Sequence, residues 1–422
     1  MFNLANKIHS LPLAKHLLVR FSSTQLSRPL SPSCGADTKE VPEESQPIPN
    51  AQKMGIGDEY RVMLLPNDFK LHRLNEGPER VVAIRKSQAL KYYRQLATVR
   101  LLETAASRLY KEQLVRGFCH LYTGQEACAV GIRAAMRSND NLITGYRVHG
   151  WAYMMGVPAV GVLAELTGRR SGCSGGKGGS MHMYGRNFYG GTGIVGDQVP
   201  LGAGVAFTSK YLQDGSVCLA LYGDGAANQG QVFECFNMAL LWKLPMIFVC
   251  ENNNYGMGTR SERAASNINY YTRGDLMPGI WADGQDVLAV RSATEFAIKH
   301  ALNKGPILME LGTYRYGGHS MSDPGTSYRT REEIQKVRRQ HDPIQGFREL
   351  CLDQQILSLD QIQEINQVAR LEIEGAIRAA RKDDEPPLNN LWSDVYSGLF
   401  EGKLRGVLAL ELEHNNTKDG EV

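Results

Sequence analysis

Between residues 217 and 315 the chain repeats one pattern, and that pattern leaves few folds open. The runs VCLALY, MIFVC and PILM are apolar at every position instead of every second one, and QVFECFNMALLW between the first two has helical spacing. Strands buried on both faces need cover on both faces, and strand-helix-strand crossovers supply it. The predicted class is therefore α/β, a doubly wound parallel sheet with helices on both faces. Lys243-Leu-Pro245 ends the intervening helix, whose expected sheet-facing residues are Val232, Phe233, Phe236, Ala239 and Leu240. Upstream, Leu90, Tyr93, Leu96, Val99 and Leu102 recur at helical spacing, so residues 81–115 read as one or two amphipathic helices. Beyond Pro343 the pattern is helical again: Ser358 and Gln361 form a capping-box signature ahead of Ile362, Ile365, Ala369, Ile373, Ala376 and Ile377. That segment is a helical C-terminal extension.

Two of the apolar runs end in polar turns, GDGAAN after the first and NNNYG after the second. If the strands are parallel, Asp224 and Asn253 share the carboxyl edge of the sheet, where open α/β sheets bind ligands. A helix beginning there offers free N–H groups and suits a phosphate, yet Asp224, on a turn expected to face solvent, would repel a bare diphosphate. A divalent cation between them resolves the conflict, since magnesium takes near-octahedral oxygen ligands and pairs carboxylates with substrate phosphates. The expected ligands are the Asp224 carboxylate, the Asn253 amide oxygen and the Tyr255 backbone carbonyl. A dinucleotide fits less well: Asn228 stands where the third glycine of the fingerprint belongs, although Glu251 could serve as the ribose acid. The glycine cluster GRRSGCSGGKGGS, residues 168–180, is a loop and fails as a phosphate-binding P-loop, because Gly178 follows Lys177.

Charge bounds the partners. Residues 1–30 carry Lys7, Lys15, Arg20 and Arg28, no acid, and leucines among serines, a composition that suits a mitochondrial transit peptide. Without those four positive charges the formal net charge of +3 becomes −1, which gives no whole-chain reason to expect nucleic acid. No run approaches the eighteen or so apolar residues of a spanning helix, so no membrane is expected. The eight cysteines include no C-x-x-C pair and fit a reducing compartment without a thiolate zinc site. The expected organisation is transit peptide 1–30, flexible linker 31–60, α/β domain 61–330 with its N-terminal helices, helical region 331–400 and polar tail 401–422.

The stretch GDGAANQGQVFECFNMALLWKLPMIFVCENNNYGMGT resembles the cofactor motif of the thiamine diphosphate-dependent 2-oxoacid dehydrogenase family. RGFCHLYTGQEAC, TGYRVHG, GKGGSMHMYGRNFYGGTGIVG and YRYGGHSMSDPGTSYRTREE are similar to further family blocks in family order, from about residue 68 to 392. Within the family the likeness is to alpha chains of the pyruvate type. The resemblance implies a thiamine diphosphate-binding fold and a mitochondrial matrix enzyme that decarboxylates pyruvate oxidatively and passes the acetyl group to lipoamide. It implies magnesium on Asp224, Asn253 and the Tyr255 carbonyl. It implies cofactor contacts from His120, Tyr146, Arg147, Gly185, Gly193, Val195, Asp224, Gly225, Ala226, Asn253, Tyr255 and His319. Among these, His120 and His319 are the catalytic candidates as proton shuttles and charge stabilisers. Arg147 and His319 would face the phosphate end of the cofactor, the backbone of Gly225 and Ala226 its diphosphate, and that of Gly193 and Val195 its aminopyrimidine. The glutamate that activates the cofactor sits in the family on a beta chain, so the implied assembly is two alpha and two beta subunits with the active site between chains. A lipoyl domain of dihydrolipoamide acetyltransferase and a dedicated kinase and phosphatase are the further implied partners, with phosphorylation at Ser320 and Ser327.

This sequence departs from the family at four places. Relatives have histidine at Gly317, arginine at Asn254, alanine at Asp197 and a regulatory serine at Arg260. Asp197 is expected to bring negative charge toward the diphosphate, and Ser261 is the neighbour that could replace the missing serine. The competing readings are a branched-chain 2-oxoacid dehydrogenase alpha subunit and a catalytically weakened regulatory paralogue; a nicotinamide oxidoreductase fails on Asn228 and Asp224.

Overall fold

Both faces of the central strands are apolar, and the chain covers both. A computed structural model describes residues 60–391; the expected transit peptide, the linker up to residue 59 and the polar tail lie outside the described residues. In chain order the elements are β1 (Tyr60–Leu64), β2 (Lys70–His72), β3 (Val81–Arg85), α1 (Lys86–Lys111), α2 (Glu126–Ala135), β4 (Asn141–Ile143), α3 (His149–Met154), α4 (Ala159–Leu166), α5 (Gln198–Leu212), β5 (Cys218–Gly223), α6 (Gly230–Trp242), β6 (Met246–Asn252), β7 (Tyr255–Gly256), β8 (Thr259–Arg260), α7 (Ser261–Ala264), β9 (Gly279–Asp283), α8 (Val287–Lys304), β10 (Ile307–Gly312), α9 (Arg331–His341), α10 (Pro343–Asp353) and α11 (Leu359–Lys382).

The main sheet has the order β2-β9-β10-β6-β5-β4. Every neighbouring pair from β9 to β4 is parallel, and β2 adds an antiparallel edge. That edge strand, KLH, is too short to show a period in the sequence. Pleating sends Cys218, Ala220, Tyr222, Met246, Phe248 and Cys250 to one face, where they pack on Val199 and Ala203 of α5 and Phe236 and Ala239 of α6. Leu219, Leu221, Ile247, Val249, Met309 and Leu311 point the other way, into a core shared with α1, α2 and α8. With each large apolar side chain contributing about 1.5–3 kcal/mol when buried, neither face of these strands could be left bare.

Two local readings change. Val81–Arg85 is a strand, not helix: Val82 and Ile84 are buried while Val81 and Ala83 are exposed, and the segment pairs antiparallel with β1. Period two wins over these five residues, and the helix begins at Lys86. On α6 the buried set is Val232, Cys235, Phe236 and Ala239; Phe233 faces out, with the Arg273 guanidinium 5.3 Å from its ring. The described residues up to Leu388 lie in one compact unit. α11 forms its capping box, with Gln361 N–H donating to Ser358 Oγ at 3.2 Å and Ser358 N–H to Gln361 Oε1 at 3.1 Å. Its buried stripe Ile362, Ile365, Ala369, Ile373, Ala376 and Ala380 packs on α1 and α4.

The glycine cluster after α4 is folded around a carboxylate. Glu165 Oε2 accepts N–H bonds from Ser174 and Gly176 at 2.8 and 2.9 Å, and Oε1 from Gly178 and Gly179 at 2.7 and 3.0 Å. Such a nest of backbone N–H groups is what other loops offer to phosphate; here the chain supplies its own anion. Glycine is required: a Cβ at Gly172 would lie 2.3 Å from Glu165 Oε2, and one at Gly178 would lie 1.9 Å from the His182 carbonyl. The loop in turn abuts residues 190–193, where a Cβ at Gly191 would come within 2.5 Å of the Met181 carbonyl. Because each buried, unpaired donor costs about 1–3 kcal/mol, Glu165→Ala should lower the thermal unfolding midpoint by more than about 5 °C. Glu165→Gln, which keeps one acceptor oxygen, should fall between that variant and the parent. Equal midpoints for all three would show that the nest holds nothing together.

Candidate functional site

The carboxyl ends of β4, β5, β6 and β10 surround a cavity of about 250 Å³. Thr144 to Arg147 enter it after β4, Asp224 to Ala226 after β5, Asn253 and Tyr255 to Met257 after β6, and Arg315 and His319 after β10. Parallel strands deliver all four turns to one edge, so the topology alone gathers residues far apart in the chain.

Asp224 faces this cavity and not solvent, which corrects the expected solvent-facing turn: the residue is 3% exposed. Burial raises its pKa to about 6, because a carboxylate out of water loses its hydration. Ser261 Oγ donates to its Oδ2 at 3.3 Å. Asn253 is oriented by two bonds, its amide nitrogen donating to Gln125 Oε1 at 3.1 Å and its Oδ1 accepting from the Tyr255 N–H at 3.2 Å. The Tyr255 carbonyl accepts a long bond, 3.4 Å, from Arg315 Nη1, which leaves it a second lone pair. A buried carboxylate, an amide oxygen and a carbonyl are hard oxygen donors, the set that suits magnesium. Among the described residues no group of three or more His, Cys, Asp or Glu gathers to hold a metal, so any cation here would rest on this mixed oxygen set.

The histidines form a second cluster. The His120 ring lies 4.4 Å from Tyr146 and 5.1 Å from His319, and Tyr146 lies 5.5 Å from His319. Burial first, and Arg147 next, depress both imidazoles, His120 to about 3 and His319 to about 4. Both Nδ1 atoms are buried without a hydrogen-bond partner among the described residues. Arg147 is taken up by carbonyls, of Leu121 at 2.6 Å and His319 at 3.0 Å. Arg315, 1% exposed, donates to Gly317 O, Met257 O and Tyr328 Oη as well as to Tyr255. Its pKa is lowered to about 10 by burial and by Arg147.

Of the predicted contacts, Tyr146, Arg147, Val195, Asp224, Gly225, Ala226, Asn253, Tyr255 and His319 line the cavity. His120, Gly185 and Gly193 do not. His120 reaches it only through Tyr146 and His319, Gly185 exchanges backbone bonds with Phe188 at 3.1 Å, and Gly193 lies against Met181. The sequence reading missed Gln125, which holds Asn253; Thr144; and Gln198, whose Nε2 donates to Leu221 O at 3.1 Å. Gln125 lies inside the block TGQEAC, but its partner is 128 positions away, a distance no local pattern spans. Glu251 also lines the cavity; it accepts from Tyr122 Oη, and burial raises it to about 7.

The departures from the family resolve individually. Asp197 is not among the lining residues, although its close neighbours Val195 and Gln198 are; its Oδ2 accepts from Thr192 Oγ1 at 2.9 Å, and its Oδ1 is buried without a partner among the described residues. Asn254 has φ +66°, a conformation asparagine tolerates better than most residues. A Cβ at Gly317 would meet open space, so nothing steric demands glycine there. Arg260 bonds Glu333 of α9 at 3.2 Å and lies over the Tyr255 ring. Ser261 is 1% exposed and hydrogen-bonded to Asp224, so it cannot stand in as an accessible phosphorylation site, and Ser261→Glu would press a second carboxylate against Asp224. Ser320 is buried with its Oγ 2.8 Å from that of Ser322, whereas Ser327 is exposed. Their loop is tied down: Asp323 accepts from His319 N–H and Tyr328 Oη, each at 2.6 Å, and Arg329 donates to Arg315 O at 2.6 Å.

An α/β sheet carrying these donors at its carboxyl edge is the architecture of a thiamine diphosphate-binding fold. The chain belongs to the dehydrogenase E1 component family, whose model matches residues 94–389. It is 56% identical over 329 residues to the mitochondrial pyruvate dehydrogenase E1 component subunit alpha type II of Ascaris suum, covering 78% of this chain and 84% of that one. It is 57% identical over 328 residues to the mitochondrial pyruvate dehydrogenase E1 component subunit alpha of Sminthopsis macroura, covering 78% and 90% of the two chains. The somatic form of the same mitochondrial subunit from Homo sapiens is 56% identical over 337 residues, 80% of this chain and 86% of that one. Among the described residues no helix is long and apolar enough to cross a membrane.

Because both histidines are held below their ordinary pKa, they should be neutral throughout the range where an exposed imidazole near 6.5 takes up a proton. The C2–H resonances of His120 and His319, assigned with His→Asn variants of the cofactor-free protein, should show no titration midpoint between pH 8 and 5.5. A titration midpoint near 6.5 for either would contradict the burial argument.

Proposed function

We propose that this chain is the alpha subunit of a mitochondrial matrix pyruvate dehydrogenase E1 component, working with thiamine diphosphate and Mg²⁺ in an active site shared with a beta subunit. The observation that carries the reading is the oxygen set of Asp224, Asn253 and the Tyr255 carbonyl at the carboxyl edge of β5 and β6. Bound thiamine diphosphate supplies the carbanion and electron sink that decarboxylation of a 2-oxoacid requires. The chain's own part is to hold the diphosphate half: Asp224, Asn253 and Tyr255 through the cation, Gly225 and Ala226 by backbone, and Tyr146, Arg147, Val195 and His319 along the walls. The turn at Gly225 and Ala226 opens a short helical turn whose first N–H groups lack helical partners. Gly185 and Gly193 take part through the loops they shape. His319 and His120, kept neutral and unpartnered at Nδ1, can accept or donate a proton without first losing one to solvent. A beta chain covers the mouth, where the lining residues Ile194 and Met257 are 68% and 62% exposed. The acceptor is a lipoyl domain of dihydrolipoamide acetyltransferase.

Control by a dedicated kinase and phosphatase at Ser320 and Ser327 follows from the same loop. A phosphate on Ser320 adds about −1.5 to −2 charges next to His319 and cannot be seated without displacing a buried hydroxyl. The bonds of Asp323 and Arg329 that hold the loop would then be contested by the new anion.

The experiment is co-expression with a beta chain, followed by pyruvate-dependent CO₂ release with a lipoyl-domain acceptor. The assembled protein should turn over, the chain alone should not, and Asp224→Ala and Ser320→Glu should each lose most activity while keeping a folded circular dichroism spectrum. Activity of the isolated chain would overturn the shared site. Full turnover by Asp224→Ala would overturn the metal assignment, and full turnover by Ser320→Glu the regulatory one.

A further inference from the structure

Ser261 is the first residue of α7 and is 1% exposed. Its side chain and its backbone bind different strand ends: Oγ donates to Asp224 Oδ2 at 3.3 Å, after β5, and N–H donates to the Asn254 carbonyl at 3.1 Å, after β6. These are the two turns that carry the oxygen donors. The terminal torsion of Asp224 has a broad well, so the carboxylate plane is set by what donates to it: the Ser261 hydroxyl is the side-chain donor, beside the backbone N–H groups of Asp224 itself and of Asn253. From this geometry we infer that Ser261 is a positioning residue for the metal site: it fixes the orientation of the Asp224 carboxylate and locks the β6 turn against the β5 turn. The inference rests on the reading of Asp224 as a metal ligand.

The neighbouring position strengthens the case. Arg260 pairs with Glu333, which also accepts from Tyr255 Oη at 2.9 Å and Tyr314 Oη at 3.0 Å. The segment 255–261 is therefore pinned from outside through Glu333 and from inside through Ser261. Of the two, the inner pin is the one that touches a donor oxygen. An exposed ion pair such as Arg260 with Glu333 contributes little, about 0–1 kcal/mol, whereas a hydrogen bond to a buried charged group contributes more.

The test measures Mg²⁺ affinity, not turnover. In the assembled alpha-beta protein with saturating thiamine diphosphate, Mg²⁺ is titrated calorimetrically, and Mn²⁺ by its electron paramagnetic resonance signal. Loss of one hydrogen bond to a charged group predicts a Kd about tenfold weaker for Ser261→Ala. Ser261→Cys, similar in volume but a weak donor, should weaken to a similar degree, and Ser261→Thr, which keeps the hydroxyl, should recover most of the affinity. The unfolding midpoint without metal should be the same in all, which separates positioning from a general loss of packing. Parental Mg²⁺ affinity in both the Ala and the Cys variants would overturn the inference. Asp224→Asn is the control: if it too keeps parental affinity, the metal-site reading itself fails; if it loses Mg²⁺ while Ser261→Ala does not, only the positioning role is lost.

Discussion

The structure turns on one unfavourable burial, the carboxylate of Asp224 held out of water at the end of a parallel strand. An ionised carboxylate there is costly unless a positive charge meets it, and Arg315, the nearest cation in the electrostatic balance, spends its hydrogen bonds on carbonyls and on Tyr328. The pKa near 6 expresses this want of a partner. The proposed divalent cation, bringing its own diphosphate, would satisfy it, and would neutralise the ligand that Asp224 would otherwise repel.

The surrounding parts make sense as means of keeping that carboxylate in place. Gln125 orients Asn253, Arg329 and Asp323 hold the loop that presents His319, and Glu165 fills the glycine nest beneath the loop of Val195. Each ties a turn down through hydrogen bonds: Gln125 through the Asn253 amide, Asp323 through the His319 N–H and the Tyr328 hydroxyl, Arg329 and Glu165 through backbone. The result is a site whose walls are set before a ligand arrives, in keeping with preorganised recognition.

Much of this was legible in the sequence, for physical reasons that also explain the rest. Continuous apolar runs announced a sheet covered on both faces, and parallel connection then placed Asp224 beside Asn253 without any knowledge of side-chain positions. Ser358 and Gln361 announced a helix start because capping is a local bond. What stayed hidden depended on partners distant in sequence. Burial of Asp224 could not be read from a GDG turn, since it depends on turns distant in sequence that close around it, the one carrying its partner Ser261 among them; Glu165 could not be matched to its glycines, because a helical glutamate looks like any other. The strand at Val81–Arg85 was lost for a different reason, being short and next to a long helix whose period dominates the window.

The central claim is that a divalent cation joins Asp224 to a diphosphate. Its most direct measurement is the thermal stabilisation of the assembled protein by thiamine diphosphate, with Mg²⁺ or with a chelator. At about 100 times its Kd a ligand adds about 2.7 kcal/mol to stability. The account expects that gain with thiamine diphosphate and Mg²⁺ together, and almost none with thiamine diphosphate in chelator or with NAD and Mg²⁺. Equal stabilisation by thiamine diphosphate with and without the metal would contradict it.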